Sequence, residues 1–146
     1  MTYRAPLAEM IFTMKAVAGL DDAGIYADLA DGMAEATLTE AAKYAENVLA
    51  PLHRAGDLQG ATWKDGVVTT TPGWPAAYKQ FVEGGWQSVT GGADHGGMGL
   101  PQLLLAGCMD MWSAANMGFM LGPVLTFGAI DELEAHASDA IKHTYL

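Results

Sequence analysis

Apolar and polar positions repeat along most of this chain with the period of a helix. Residues 7–20 place Leu7, Met10, Ile11, Met14 and Val17 three or four apart, the spacing that lines one helical face, and Gly19 stands where such a helix would end. Over residues 37–54, Leu38, Ala41, Ala42, Ala45, Val48, Leu49 and Leu52 share a face, while Glu40, Lys43, Glu46 and Asn47 take the wet side. Thr37 or Thr39 is placed to accept from the free N–H groups of its first turn. Pro51 cannot donate to the helical ladder, so it predicts a kink or an end near Leu49.

The pattern then changes. Residues 56–73 are rich in Gly, Asp and Thr, and Asp65-Gly66 between β-favouring flanks predicts a small hairpin over 61–69. Pro75 opens a short helix with Tyr78, Phe81 and Val82 on its apolar side and Gly84-Gly85 as its stop. From Pro101 to about Asn116 apolar residues occur on nearly every side, with Asp110 the only charge, so this stretch predicts a central buried helix. Pro123 is expected to open the next, with Val124, Phe127, Ile130 and Leu133 inward and Asp131, Glu132 and Glu134 solvated. Ser138 reads as the N-cap of a last helix. The whole is a mainly α fold: a helical bundle with one small β-hairpin, in a single domain over 1–146. The chain halts on Tyr145-Leu146 in a helix barely two turns old, which predicts a fragment.

Composition narrows the partners. Hydrophobic residues make up 51% and charged residues 16%, so part of the apolar surface is expected to meet something. Seven Lys+Arg against 17 Asp+Glu give a formal charge of −10, which repels phosphate backbones and argues against nucleic acid. No uncharged run is taken to reach the length of a membrane span, and the first residues do not resemble a secretory leader; the expected location is the cytoplasm.

Candidate chemistry is sparse. Gly91-Gly92-Ala93-Asp94-His95-Gly96-Gly97-Met98-Gly99-Leu100 could in principle turn N–H groups toward a phosphate, but it has no Gly-Lys-Ser/Thr step and no basic residue other than His95, so it reads as a structural loop. His53, His95, His136 and His143 lack the spacing that places two imidazoles on one metal, and no metal site is expected. Cys108, in the apolar run Leu103–Met109, is expected to be a buried, unreactive thiol. No catalytic set emerges from the residues themselves.

An ordered series of segments carries a resemblance. Phe81-Val82-Glu83-Gly84-Gly85-Trp86, Asp94-His95-Gly96-Gly97-Met98-Gly99-Leu100-Pro101, Met111-Trp112-Ser113-Ala114-Ala115-Asn116, Gly128-Ala129-Ile130 and Lys142-His143-Thr144-Tyr145-Leu146 together resemble the N-terminal helical domain of acyl-CoA dehydrogenases. Tyr3-Arg4-Ala5-Pro6, the run 41–52 and Asp65-Gly66-Val67-Val68-Thr69 are similar to a large bacterial branch of that family, with residues 1–36 as a branch extension. The resemblance implies FAD, an acyl-CoA thioester that is short or sulfur-bearing, removal of an α-hydrogen by a glutamate and transfer of the β-hydride to the flavin. It also implies an electron-accepting flavoprotein as partner and a homo-oligomeric full-length enzyme. The β-domain that binds most of the flavin and the C-terminal helical domain with the catalytic glutamate are expected to be absent, so the chain alone should be inactive. The family's N-terminal domain supplies one wall of the acyl pocket. Carried over by position, that wall is Phe119, Met120, Leu121, Val124, Leu125 and Gly128. A stand-alone helical interaction module, using the same apolar surface to dimerise or hold a partner helix, is the alternative.

Overall fold

In a computed structural model, described over residues 3–20 and 32–146, the expected bundle forms. The helices are α1 (Leu7–Ala16), α2 (Met33–Tyr44), α3 (Ala50–Gln59), α4 (Trp74–Glu83), α5 (Gln102–His136) and α6 (Asp139–Tyr145). A π-helical turn over Ala45–Leu49 joins α2 to α3, and an antiparallel pair, β1 (Thr62–Lys64) and β2 (Val67–Thr69), follows α3.

Local chemistry explains the boundaries, including those that depart from the pattern. Gly19, at φ 71°, turns the chain after α1, and the Leu20 N–H closes back onto the Met14 carbonyl. Val17, expected on the inner face, lies just past the last turn and is exposed. Neither Thr37 nor Thr39 caps α2: the helix starts four residues earlier than Thr37, after left-handed Gly32, and the Thr39 hydroxyl donates back to the Glu35 carbonyl at 2.6 Å. Pro51 does not end the rod. The Pro51 ring would collide with the carbonyl of the residue four before it in a regular helix, and the widened Ala45–Leu49 turn makes room while the chain stays helical to Gln59. The hairpin forms with Trp63 opposite Val68 around a turn whose two residues, Asp65 and Gly66, both have positive φ.

The largest difference concerns α5. Asn116 breaks it, as its pattern predicts, but the next helix begins immediately there and Pro123 lies inside it rather than at its start. Asn116 has φ −160° and ψ 83°, and its side-chain Oδ1 accepts the Phe119 N–H at 3.1 Å. An amide oxygen bonding the N–H three residues on is the arrangement that starts a helix. On an unbroken helix at about 100° per residue, the buried stripe before the break (Leu104, Cys108, Met111, Ala115) and the one after it (Phe119, Met120, Pro123, Phe127) would lie about a quarter turn apart. The break brings both onto one core.

That core is aromatic at its centre. Phe81 of α4 packs against Trp112 at 5.2 Å, Tyr44 at 5.8 Å, Phe119 at 6.1 Å and Phe127 at 6.5 Å between ring centroids, mostly tilted or edge-on. The polar ends are satisfied: Trp112 Nε1–H donates to the Ala41 carbonyl at 3.1 Å, and the Tyr44 hydroxyl to the Ala77 carbonyl at 2.8 Å. Ala41 and Ala45 are fully buried, which lets α5 approach α2 closely. On α4, Phe81 and Ala77 face inward, whereas Tyr78 and Val82 are largely exposed.

One expectation about membranes needs correction. Residues 111–130 carry no charged side chain, and α5 is long and apolar enough to cross a membrane by length and composition. Its inward stripe is instead spent on the aromatic core, and Asn116 interrupts it midway.

Candidate functional site

The second arm of α5, residues 117–136, divides the six expected wall residues into two sets. Phe119 and Met120 point into the core, 5% and 2% exposed. Leu121 and Leu125 point away from it, 61% and 74% exposed, and Met117 one turn earlier is 55% exposed. Val124 is half-buried between the sets and Gly128 is exposed. Met117, Leu121 and Leu125 are four apart, so they form a single outward stripe. Gly122 and Gly128 flank it, and a Cβ built at either would meet nothing within 4 Å. The result is an apolar strip whose floor is backbone.

The strip rests on an aromatic base. Phe119 lies edge-on to Trp74 at 5.9 Å, and the same indole reaches within 3.5 Å of where a Cβ would stand on Gly118. Trp74 was not among the residues that the pattern singled out, because a Trp beside Pro75 reads as a helix start. Of the six expected wall residues, Phe119 and Met120 are therefore core, while Leu121, Leu125 and Gly128 are at the surface. They lie inside a helix, not at its entry as the pattern around Pro123 suggests.

The glycine loop is occupied with itself. The N–H groups of Gly97, Met98, Gly99 and Leu100 donate to the carbonyls of Gly92, Ser88, Gly91 and Val89 at 2.8–3.0 Å. Gly97 approaches so closely that an added Cβ would sit 2.1 Å from the Gly91 oxygen. Gly92 N–H donates to Glu134 Oε1 at 2.5 Å, so Glu134, expected on the solvated side, instead ties the loop to α5. With these amides committed and a formal charge of −10, the described loop residues make no cradle for a flavin pyrophosphate. All four histidines are exposed, and no group of three metal-binding side chains occurs among the described residues. Cys108 is fully buried, and desolvation pushes its thiol up to about 12, far from a nucleophilic thiolate.

A second recess of about 570 Å³ lies beside the π-helical turn, bounded by Tyr3, Glu46, Ala50, Pro51, His53, Ala114 and Ala115. Burial, then the nearby carboxylates of Asp110 and Glu46, raise the Tyr3 hydroxyl above its ordinary value. Glu46 is already engaged, accepting the Ala5 N–H at 2.9 Å and pairing with Arg4 at 3.2 Å. The recess offers no acid–base pair poised on a substrate.

The geometry is thus that of a helical domain with an outward apolar strip on its longest helix, and the chain is related over its whole length to an acyl-CoA dehydrogenase. The relative is the 3-methylmercaptopropionyl-CoA dehydrogenase of Ruegeria pomeroyi, to which the chain is 38% identical over 149 aligned positions, covering 100% of this chain and 25% of that enzyme. The chain therefore spans about a quarter of its relative's length. No family model matches it.

Proposed function

We propose that this chain is the N-terminal α domain of an FAD-dependent acyl-CoA dehydrogenase, in which the second arm of α5 forms one wall of the pocket for the acyl chain. The observation that carries the reading is the outward strip Met117, Leu121 and Leu125 with open Gly122 and Gly128, in a chain similar throughout to an acyl-CoA dehydrogenase. A strip of this kind excludes water from a hydrocarbon or thioether chain laid along it and contributes no proton transfer. The reaction is the α,β-dehydrogenation of an acyl-CoA thioester, with 3-methylmercaptopropionyl-CoA as a candidate substrate by analogy with the relative. The catalytic base, the flavin contacts, the homo-oligomer contacts and docking of an electron-accepting flavoprotein are assigned to sequence outside these residues, and the expected setting is the cytoplasm.

Purification of the natural gene product tests this directly. A flavin spectrum with dye-coupled oxidation of acyl-CoA substrates is the expected result. A colourless product without activity that binds a protein partner through the strip would instead establish the interaction module. The 146-residue chain by itself should show neither bound flavin nor activity.

A further inference from the structure

Asn116 is one of two polar residues, with Thr71, that are buried among the described residues, and its side chain does two separate things. Oδ1 caps the second arm of α5 through the Phe119 N–H. Nδ2 donates to the Leu49 carbonyl at 3.2 Å, at the last residue of the π-helical turn that Pro51 imposes, 67 residues away in sequence. The arm bearing Leu121 and Leu125 is thereby clamped at its first residue to an irregular turn of another helix. Rotation of the arm about its own axis by one residue step would carry Leu121 and Leu125 away from the strip by about 100°. The clamp thus joins two places where the helices depart from α geometry, the non-helical Asn116 and the last residue of the π-helical turn.

We infer that Asn116 is a positioning residue for acyl-chain binding, setting the direction and rotational phase of the wall through the Leu49 carbonyl; this rests on the acyl-wall reading above. Three of its properties point to positioning rather than to stability alone. The cap could be made by Ser, Thr or Asp, but the two bonds of Asn116 use separate atoms of one amide, Oδ1 toward Phe119 N–H and Nδ2 toward Leu49, whereas a hydroxyl carries donor and acceptor on a single oxygen close to the backbone and a carboxylate has no donor. The clamp lies one residue before Met117, where the strip begins. It joins the arm to the π-helical turn independently of the rings of Phe119 and Phe127, which fix the arm's depth through the aromatic core.

The test uses the natural gene product with its flavin bound and butyryl-CoA, octanoyl-CoA and 3-methylmercaptopropionyl-CoA as probes. Asn116→Asp keeps the acceptor for Phe119 N–H and loses the donor to Leu49. It is expected to raise KM for the longest chain accepted by about tenfold while kcat stays within about twofold and flavin content is unchanged, as expected for lost uniform binding. Pro51→Ala gives the turn back an N–H, letting it regularise and draw the Leu49 carbonyl away, so it should raise KM in the same way. Because both changes break one clamp, the double variant should be less impaired than the product of the two effects. Independent effects that multiply, or an unchanged KM in a flavin-replete Asn116→Asp enzyme, would overturn the inference. Should Asn116→Asp fail to fold, Pro51→Ala and Asn116→Ser carry the same KM-against-kcat readout. Leu125→Trp keeps the two claims apart: if it leaves acyl preference unchanged the wall reading fails, whereas if it shifts preference and the clamp variants do not, only the positioning role fails.

Discussion

The thiol of Cys108 shows how much a single residue's setting decides. Fully buried against the core, its pKa is pushed from the ordinary thiol value of 9.0 up to about 12 by desolvation, so between these values the folded chain holds a proton that the unfolded chain gives up. A raised acid pKa stabilises the fold below the unfolded value and loses that contribution as pH climbs toward the folded one. Tyr44, also raised by burial, acts in the same direction at higher pH. The expected result is a thermal midpoint that falls as pH rises from 9 to 11, with a shallower fall in Cys108→Ala; equal slopes in the two proteins would contradict the burial argument. Trp112→Ala, which opens a cavity beside Phe81, should cost about 3–5 kcal/mol by chemical or thermal unfolding, and Trp112→Phe clearly less. Both residues were legible from the apolar pattern, because burial is what such a run does. The role of Asn116 was not, since a single Asn at the end of an apolar stretch reads as a helix end whether its side chain faces water or a carbonyl 67 positions away.

At the level of elements, glycines that look alike in the sequence have opposite meanings. Gly97→Ala would force a Cβ onto the Gly91 oxygen and should destabilise the fold by about 1–3 kcal/mol. Gly128→Ala, in an open helical position, should stabilise it by about 0.5–1 kcal/mol while altering acyl-chain preference in the full enzyme. Differential scanning calorimetry of the two variants reads both signs, and the same sign in both would refute the contrast. The periodicity recovered the helices and the hairpin because burial and turn chemistry are local. It misplaced the start of the second arm of α5 because a proline reads as a first-turn residue, whereas Pro123 lies seven residues past the Asn116 break, inside the helix. It likewise missed the π-helical turn, where a proline that ends most helices instead widens one.

For the whole molecule, the strip on α5 is the surface most in need of company. A cysteine introduced as Leu125→Cys should react rapidly with a maleimide in the isolated 146-residue chain, and slowly in the natural gene product if other parts of the protein cover the acyl wall. Equal rates would show that the strip is uncovered in both. The strip was legible from sequence only through a resemblance: spacing shows that Leu121 and Leu125 share a face with Met117, but not that the face is turned outward, because Phe119 and Met120, equally apolar, lie between them and point in.

The hairpin has a practical consequence of another kind. Every residue from 61 to 70 is exposed, and the strands pair only with each other. The Asp65-Gly66 tip is therefore a natural graft point: an epitope or dye-bearing loop inserted there would leave the aromatic core and the apolar strip of α5 alone, giving the protein a tether for immobilisation or imaging.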